Sequence, residues 1–369
     1  MQRIYARLLA STLFVVLAAA CSSGGQGAKT QPQGPNNWPT STSGIAGYQA
    51  ADRAQMLSTG AQTEGQVNFI TSLAGPILDE LTKGFNQQYP GVKLNVVRPS
   101  GTNGVAILVT EEARAQKYTA DVVESPPESA LLTLRYVLKA TVPYYTPAAK
   151  DYPTDAQEPA ADKRLDYWVY DRENYIGFGY NTNALPASAV PKTFKDLLNP
   201  ALKGKMAITN TAFTTFIDNI LQNQGQAYAQ QLAQQQDVKV QNISAKALFD
   251  LVASGEVASA PSLYSDHAKI EAAAGAPVKW VALEPATANL GGLALVDHAP
   301  HPHAAMLLID YLLSPDGQKV FSANGYDSPE KTPDFKVWYP TKGLTVDQYE
   351  KHYNDAQDFL NKYFIKSGG

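Results

Sequence analysis

From Gln66 onward, short β-like runs alternate with helical patterns, which predicts an α/β protein whose mostly parallel sheets are flanked by helices. A Pro-, Asp- and Ala-rich interruption at Pro143–Asp166, after which the alternation resumes, predicts two such lobes. With 369 residues, 44% of them hydrophobic, the chain can fill two cores of ordinary size.

The first twenty residues differ from the rest. Arg3 and Arg7 precede an uncharged apolar run, Leu8 to Ala20, shorter than the roughly 20 residues that span a bilayer, which reads as an export signal. Leu17-Ala-Ala-Ala-Cys21 resembles the lipobox of bacterial lipoproteins, with Leu17 one place earlier than that family's leucine. The resemblance implies lipidation of Cys21, the chain's only cysteine. Ser22–Ser43 is almost wholly Ser, Gly, Gln, Pro, Asn and Thr, so residues 21–65 read as the anchor cysteine and a flexible tether.

In the first lobe, strand Val67–Thr71 leads to Gly75-Pro76 and a helix with Ile77, Leu78, Leu81 and Phe85 on one face. Strand Lys93–Val97, a helix over about Gly104–Lys117, strand Ala120–Glu124 and helix Pro127–Leu138 follow. Trp168–Tyr180 reads as two strands or one long bent strand. After it come strand Lys205–Thr209, a Gln-rich helix between Phe213 and Gln235, helix Ala245–Ser254, and strands Glu256–Ala260 and Val278–Leu283. Strand Gly292–Val296 and helices His303–Leu313, Pro315–Ala323 and about Val346–Tyr363 close the chain.

Four segments, in order, resemble the ferric-iron-type branch of the extracellular solute-binding proteins, family 1, that feed ABC importers. They are Phe69-Ile-Thr-Ser72 with Gly91-Val-Lys-Leu-Asn-Val-Val97; Gly177-Phe-Gly-Tyr180-Asn-Thr-Asn-Ala-Leu-Pro186; Pro191-Lys-Thr-Phe-Lys-Asp-Leu-Leu-Asn-Pro200-Ala-Leu-Lys-Gly-Lys205; and Pro302-His-Ala-Ala-Met-Leu-Leu-Ile-Asp-Tyr-Leu-Leu-Ser-Pro-Asp-Gly-Gln318. The resemblance implies a periplasmic-binding-protein-like clamshell, with residues 66–166 and 285–343 in lobe 1 and 167–284 and 344–364 in lobe 2.

Open parallel sheets bind ligands beyond the carboxyl ends of their strands, where helix N-termini offer free N–H groups. That nominates Ser72, Ser100, Thr102, Asn103, Glu124 and Ser125 in the first lobe, and Tyr180, Thr209, Asn210, Thr211, Ser262 and Tyr264 in the second. Ferric binders of the family place two adjacent tyrosines after the strand that follows the Gly-Glu-Val run, because Fe3+ favours anionic oxygen ligands. Here Leu263 stands in place of the first and Tyr264 keeps the second, so a ferric site would draw on Tyr180, Tyr264, Asp266 and His267. Fe3+ as cargo and a small organic or phosphorylated anion are both left open; no cofactor is required.

Thirty Lys and Arg against 34 Asp and Glu give a formal charge of -4 and no electrostatic case for nucleic acid. Gly177-Phe-Gly179 lacks the third glycine of a dinucleotide fingerprint, and Gly204-Lys205 is followed by Met206 rather than Ser or Thr. There is no nucleophile elbow and no His-Glu-x-x-His helix. His298, His301 and His303 read as solvated loop histidines. The sequence therefore describes a non-enzymatic, monomeric, lipid-anchored binding component at the periplasm or cell surface, handing a small ligand to an ABC permease. The competing readings are an exported hydrolase and an adhesion protein on the same anchor.

Overall fold

The computed structural model describes residues 37–73, 75–100, 104–209 and 213–365. Two helices, α1 (Thr42–Ala46) and α2 (Arg53–Glu64), precede β1 (Gln66–Thr71), α3 (Gly75–Gln88), β2 (Lys93–Val97), α4 (Gly104–Ala115) and β3 (Val122–Ser125). Two π turns, Pro127–Leu131 and Thr133–Val137, lead through β4 (Thr141–Val142) and β5 (Gln157–Pro159) to the 16-residue β6 (Asp166–Asn181). Then come β7 (Ala207–Thr209), α5 (Phe213–Asn223), α6 (Gln226–Gln235), β8 (Lys239–Gln241), α7 (Ala245–Ser254), β9 (Ser259–Tyr264), α8 (Ser265–Ala273) and β10 (Val278–Val281). The chain returns along β11 (Ala286–Val296) and ends with α9 (Pro302–Leu312), α10 (Pro315–Ala323), β12 (Val337–Trp338) and α11 (Val346–Tyr363).

The main sheet runs β10-β6-β11-β3-β1-β2. In its first half β1 lies parallel to β2, with Val67 opposite Leu94, and to β3, with Ile70 opposite Val123. β11 is antiparallel to β3 and to β6, where Asn289 faces Asn174. In the second half β6 is antiparallel to β9 and β10, while β7 is parallel to β8 and touches β9 in parallel through Met206 and Ser259. β6 is one strand rather than two because aromatic and β-branched residues, which favour extended backbone, fill it at both ends: Trp168, Val169 and Tyr170, then Tyr175, Ile176 and Phe178.

Separate apolar cores lie along that strand. The first includes Val67, Phe69, Phe85, Trp168, Val169, Tyr170, Leu293 and Met306. The second includes Ile176, Phe178, Tyr180, Phe213, Phe216, Leu283 and Phe359, beside a smaller cluster around Phe249 and Leu263. Residues 171–175 of β6 belong to none of these cores, so the two halves meet at a polar crossover.

Several elements differ from the sequence reading. The tether expected up to residue 65 instead becomes α1 and α2, with Ile45, Met56, Leu57 and Ala61 buried in the first core. Arg53 fixes α2 to α9, its guanidinium 2.6 Å from Asp310 Oδ2 and donating to the Tyr145 carbonyl at 3.0 Å. The Gln-rich stretch is two helices because Gly225, at φ 83 and ψ 162, turns the chain where a residue with a Cβ would be strained. The helix expected at Pro127–Leu138 is wound as the two π turns. The terminal helix is not confined to the second lobe: Val346 and Tyr349 of α11 pack on the first core, Ala356, Phe359 and Leu360 on the second.

His301 and His303 are not solvated loop residues. His301 Nδ1 lies 2.8 Å from Asp121 and His303 Nδ1 2.7 Å from Glu64, and the Glu64 carboxylate also accepts from the His303 and Ala304 backbone N–H groups at the start of α9. A carboxylate there satisfies orphan helix donors and complements the dipole. His298 is exposed, tilted against the Tyr118 ring.

Candidate functional site

The carboxyl ends of β1 and β3 point at the second core, and those of β7 and β9 point back at the first, so both sets of loops open on the interlobe space. Helices α3, α4, α5 and α8 follow β1, β2, β7 and β9 and present their N-termini on the same side as those strand ends.

At the first-lobe end, Glu124 is fully buried and organises its neighbours. Its Oε2 accepts from Thr71 Oγ1 at 2.6 Å and from Ser72 N and Ser72 Oγ, each at 3.0 Å. Its Oε1 accepts from Arg172 Nε at 3.1 Å and lies 2.9 Å from Nη2, which also donates to Ser72 Oγ at 3.2 Å. Arg172 comes from β6, on the far side of β11, and the pair closes over Gly291. A Cβ there would lie 2.4 Å from Glu124 Oε1 and 2.7 Å from Arg172 Nε. The Tyr326 ring covers the guanidinium, with 5.2 Å to its centroid.

The crossover carries this network to the second lobe. Asn174 Nδ2 donates to Asp266 Oδ1 at 3.0 Å, and Tyr175 N donates to Ser265 Oγ at 3.1 Å, both acceptors lying at the start of α8. Asp171, fully buried in the β6 bulge opposite Gly291 and Gly292, has neither carboxylate oxygen hydrogen-bonded. Burial first, and the Glu124 charge second, push its carboxyl well above the usual range. Glu173 is pushed up to about 7 by burial, and the Tyr175 hydroxyl donates to it.

The nominated residues separate into groups. Ser72 and Glu124 meet at the first-lobe end; Ser125, the next residue of β3, has its Oγ buried with no hydrogen-bond partner. Ser100 is exposed after β2. Thr209, Ser262 and Tyr264 stand at or near the ends of β7 and β9, and Ser262 Oγ is likewise buried without a partner. Thr102, Asn103, Asn210, Thr211 and Cys21 lie outside the described residues. Tyr180 is displaced from this group. Because β6 is antiparallel to β9, its carboxyl end is remote from the crossover: Tyr180 pairs with Ser259, five residues and roughly 16 Å of strand from Tyr264. It packs beside Phe178.

The nominated ferric set does not come together either. Leu263 is fully buried in the core, Asp266 is engaged by Asn174, and His267, its proton affinity lowered by burial, packs edge-on to Phe249 and Tyr264. Among the described residues no group of three or more His, Cys, Asp or Glu side chains is placed to hold a metal ion.

The sequence reading missed Arg172, Asn174 and Tyr326. A signal was present: Asp171-Arg172-Glu173-Asn174 interrupts an otherwise apolar strand, and buried charges require partners.

The model of the family described as bacterial extracellular solute-binding protein matches residues 134–352, more than half of the chain. The chain belongs to this family. As a solute-binding protein it binds a small ligand outside the cytoplasm and serves a membrane permease as the binding component of an ABC importer. An uncharacterised protein of Haemophilus influenzae is 25% identical over 277 residues, covering 72% of this chain and 77% of its own. Iron-bound HitA from Pseudomonas aeruginosa has a TM-score of 0.63 at 17% identity, over 81% of this chain and 99% of its own. AfuA from Actinobacillus pleuropneumoniae, with fructose-6-phosphate bound, has 0.63 at 19%, over 82% and 100%. The substrate-binding protein of an ABC transporter from Agrobacterium tumefaciens has 0.65 at 14%, over 80% and 94%. At these identities the solved structures share the solute-binding fold with this chain.

Proposed function

We propose that this solute-binding protein closes its two lobes on a small phosphorylated organic anion, making and breaking no bond. The observation that carries the reading is the convergence of four helix N-termini and several hydroxyl groups on the interlobe space, with only one tyrosine, Tyr264, at the end of β9. Helix N-termini and hydroxyls donate to phosphate oxygens, whereas Fe3+ calls for several anionic oxygen ligands. Ser72, Ser100, Thr102, Asn103 and Ser125 would approach the ligand from lobe 1, and Thr209, Asn210, Thr211, Ser262 and Tyr264 from lobe 2. Glu124 acts at one remove, holding Thr71 and Ser72 in place.

Lobe 1 comprises residues 66–170 and 285–343, joined by α1 and α2. Lobe 2 comprises 176–284 and the latter part of α11, with residues 171–175 as the crossover. Closure follows from tighter binding of the ligand to the closed form. The protein works as a monomer held to the membrane by lipid on Cys21; among the described residues no helix is long and apolar enough to cross a membrane. Membrane association unchanged by Cys21→Ser in cell fractionation would remove the anchor from this account.

The deciding experiment titrates the protein lacking residues 1–21 with fructose 6-phosphate, the ligand named for AfuA, with inorganic phosphate and with ferric citrate. Calorimetry should report one sugar phosphate per chain, and visible spectra should stay flat with iron. Stoichiometric iron with a tyrosinate charge-transfer band, abolished by Tyr264→Phe, would replace the anion by Fe3+.

A further inference from the structure

A second cavity, of about 630 Å³, lies outside the interlobe site, between the π turns, the start of β6 and the segment entering α11. Four aromatic residues line it: Tyr136, Trp168, Tyr170 and Tyr339. Three carboxylates, Asp155, Glu158 and Asp347, stand around it against the Lys342 ammonium and, 5.2 Å from the Tyr136 ring centroid, the Arg135 guanidinium. None of the nominated interlobe residues is among its walls.

The chemistry of this cavity is opposite to that of the interlobe site. Aromatic faces carry negative quadrupole charge and attract cations, and nearby carboxylates add to that attraction. The protein's own Lys342 already shows the affinity: its ammonium lies 2.5 Å from Asp155 Oδ1 and 5.5 Å from the Tyr339 ring centroid. The phenols stay neutral: burial first, then Glu158, pushes Tyr136 up to about 12, and burial first, then Glu173, raises Tyr339. Trp168, 2% exposed, backs the cavity. Tyr136, 46% exposed, and Val137, 59% exposed, give access from solvent.

We infer that this cavity is a second binding site, selective for a small organic cation, with the methylated ammonium among the rings and the carboxylates. An ordinary solvent-filled surface recess would not distinguish a cation from a neutral molecule of the same shape.

The probe is choline, compared with 3,3-dimethyl-1-butanol, which replaces the charged nitrogen by carbon. Calorimetry on the full chain should show one choline bound, about tenfold tighter than the neutral alcohol. Tyr339→Leu and Glu158→Gln should each weaken choline severalfold, and Tyr264→Phe should leave it unchanged. Glu158→Gln alters a partly exposed side chain, so it keeps the test valid if Tyr339→Leu fails to fold. No binding, equal affinity for the neutral alcohol, or loss of choline binding with Tyr264→Phe would each overturn the inference.

Discussion

Arg172→Met is the sharpest test of how the crossover is built. The guanidinium is 6% exposed and the Glu124 side chain not at all, so removing one partner leaves a carboxylate that water cannot reach. Breaking a buried pair in this way costs about 3–5 kcal/mol. Glu124 keeps three donors, Thr71 Oγ1 and the N and Oγ of Ser72, all on Oε2, and loses those on Oε1, which places the expected loss near about 3 kcal/mol. Urea denaturation at pH 7, extrapolated linearly, measures it. The double variant Glu124→Gln/Arg172→Met keeps an acceptor for Ser72 and removes the stranded charge, so it should be more stable than Arg172→Met alone. A single-variant loss under about 1 kcal/mol, or a double variant worse than either single one, would refute the view that an uncompensated buried charge is what the arginine prevents.

Three further outcomes follow from the same structure. Glu173 titrates near 7 when folded against 4.5 normally, so the stability it supports is present below about 4.5 and lost as pH rises through 7. Glu173→Gln should therefore match the parent at pH 4 and exceed it at pH 8, by up to about 3 kcal/mol, in urea melts at the two pH values. Arg53→Ala should destabilise by about 3 kcal/mol because it strands the mostly buried Asp310, and a chain beginning at Gln66 should lose at least as much in calorimetry. Gly225→Ala, at a backbone conformation that L residues avoid, should cost about 1–3 kcal/mol by the same urea assay even though nothing lies within 4 Å of the added methyl.

What could be read from the sequence was what leaves a local pattern. The stripe Ile77, Leu78, Leu81 and Phe85 is the buried face of α3, and Pro315–Ala323 is a helix as expected, because period and capping are recorded within a dozen residues. The end of β1 before Ser72 was likewise legible, whereas the strand read as Glu256–Ala260 is β9, running from Ser259 to Tyr264. Direction was not: a strand's pairing partner is set by distant residues, and without knowing that β6 opposes β9, Tyr180 looked like a residue at the mouth. Helix α2 was missed because its buried residues, Met56, Leu57 and Ala61, are sparse and its support comes from Asp310, far along the chain. Arg172 was missed for the same reason, since its partner Glu124 lies two strands away.

The last helix sets how this molecule can move. An 18-residue helix is a rod of roughly 27 Å, and α11 is seated in one core at its first turns and in the other at its last. With β6 and β11 it makes a third tie between the halves. Two straps alone would let the lobes twist as well as shut; a stiff third member seated in both cores adds resistance to twisting. On the closure proposed above, opening and closing resemble a door on a braced frame, and stiffness along α11 would tune how readily cargo is released.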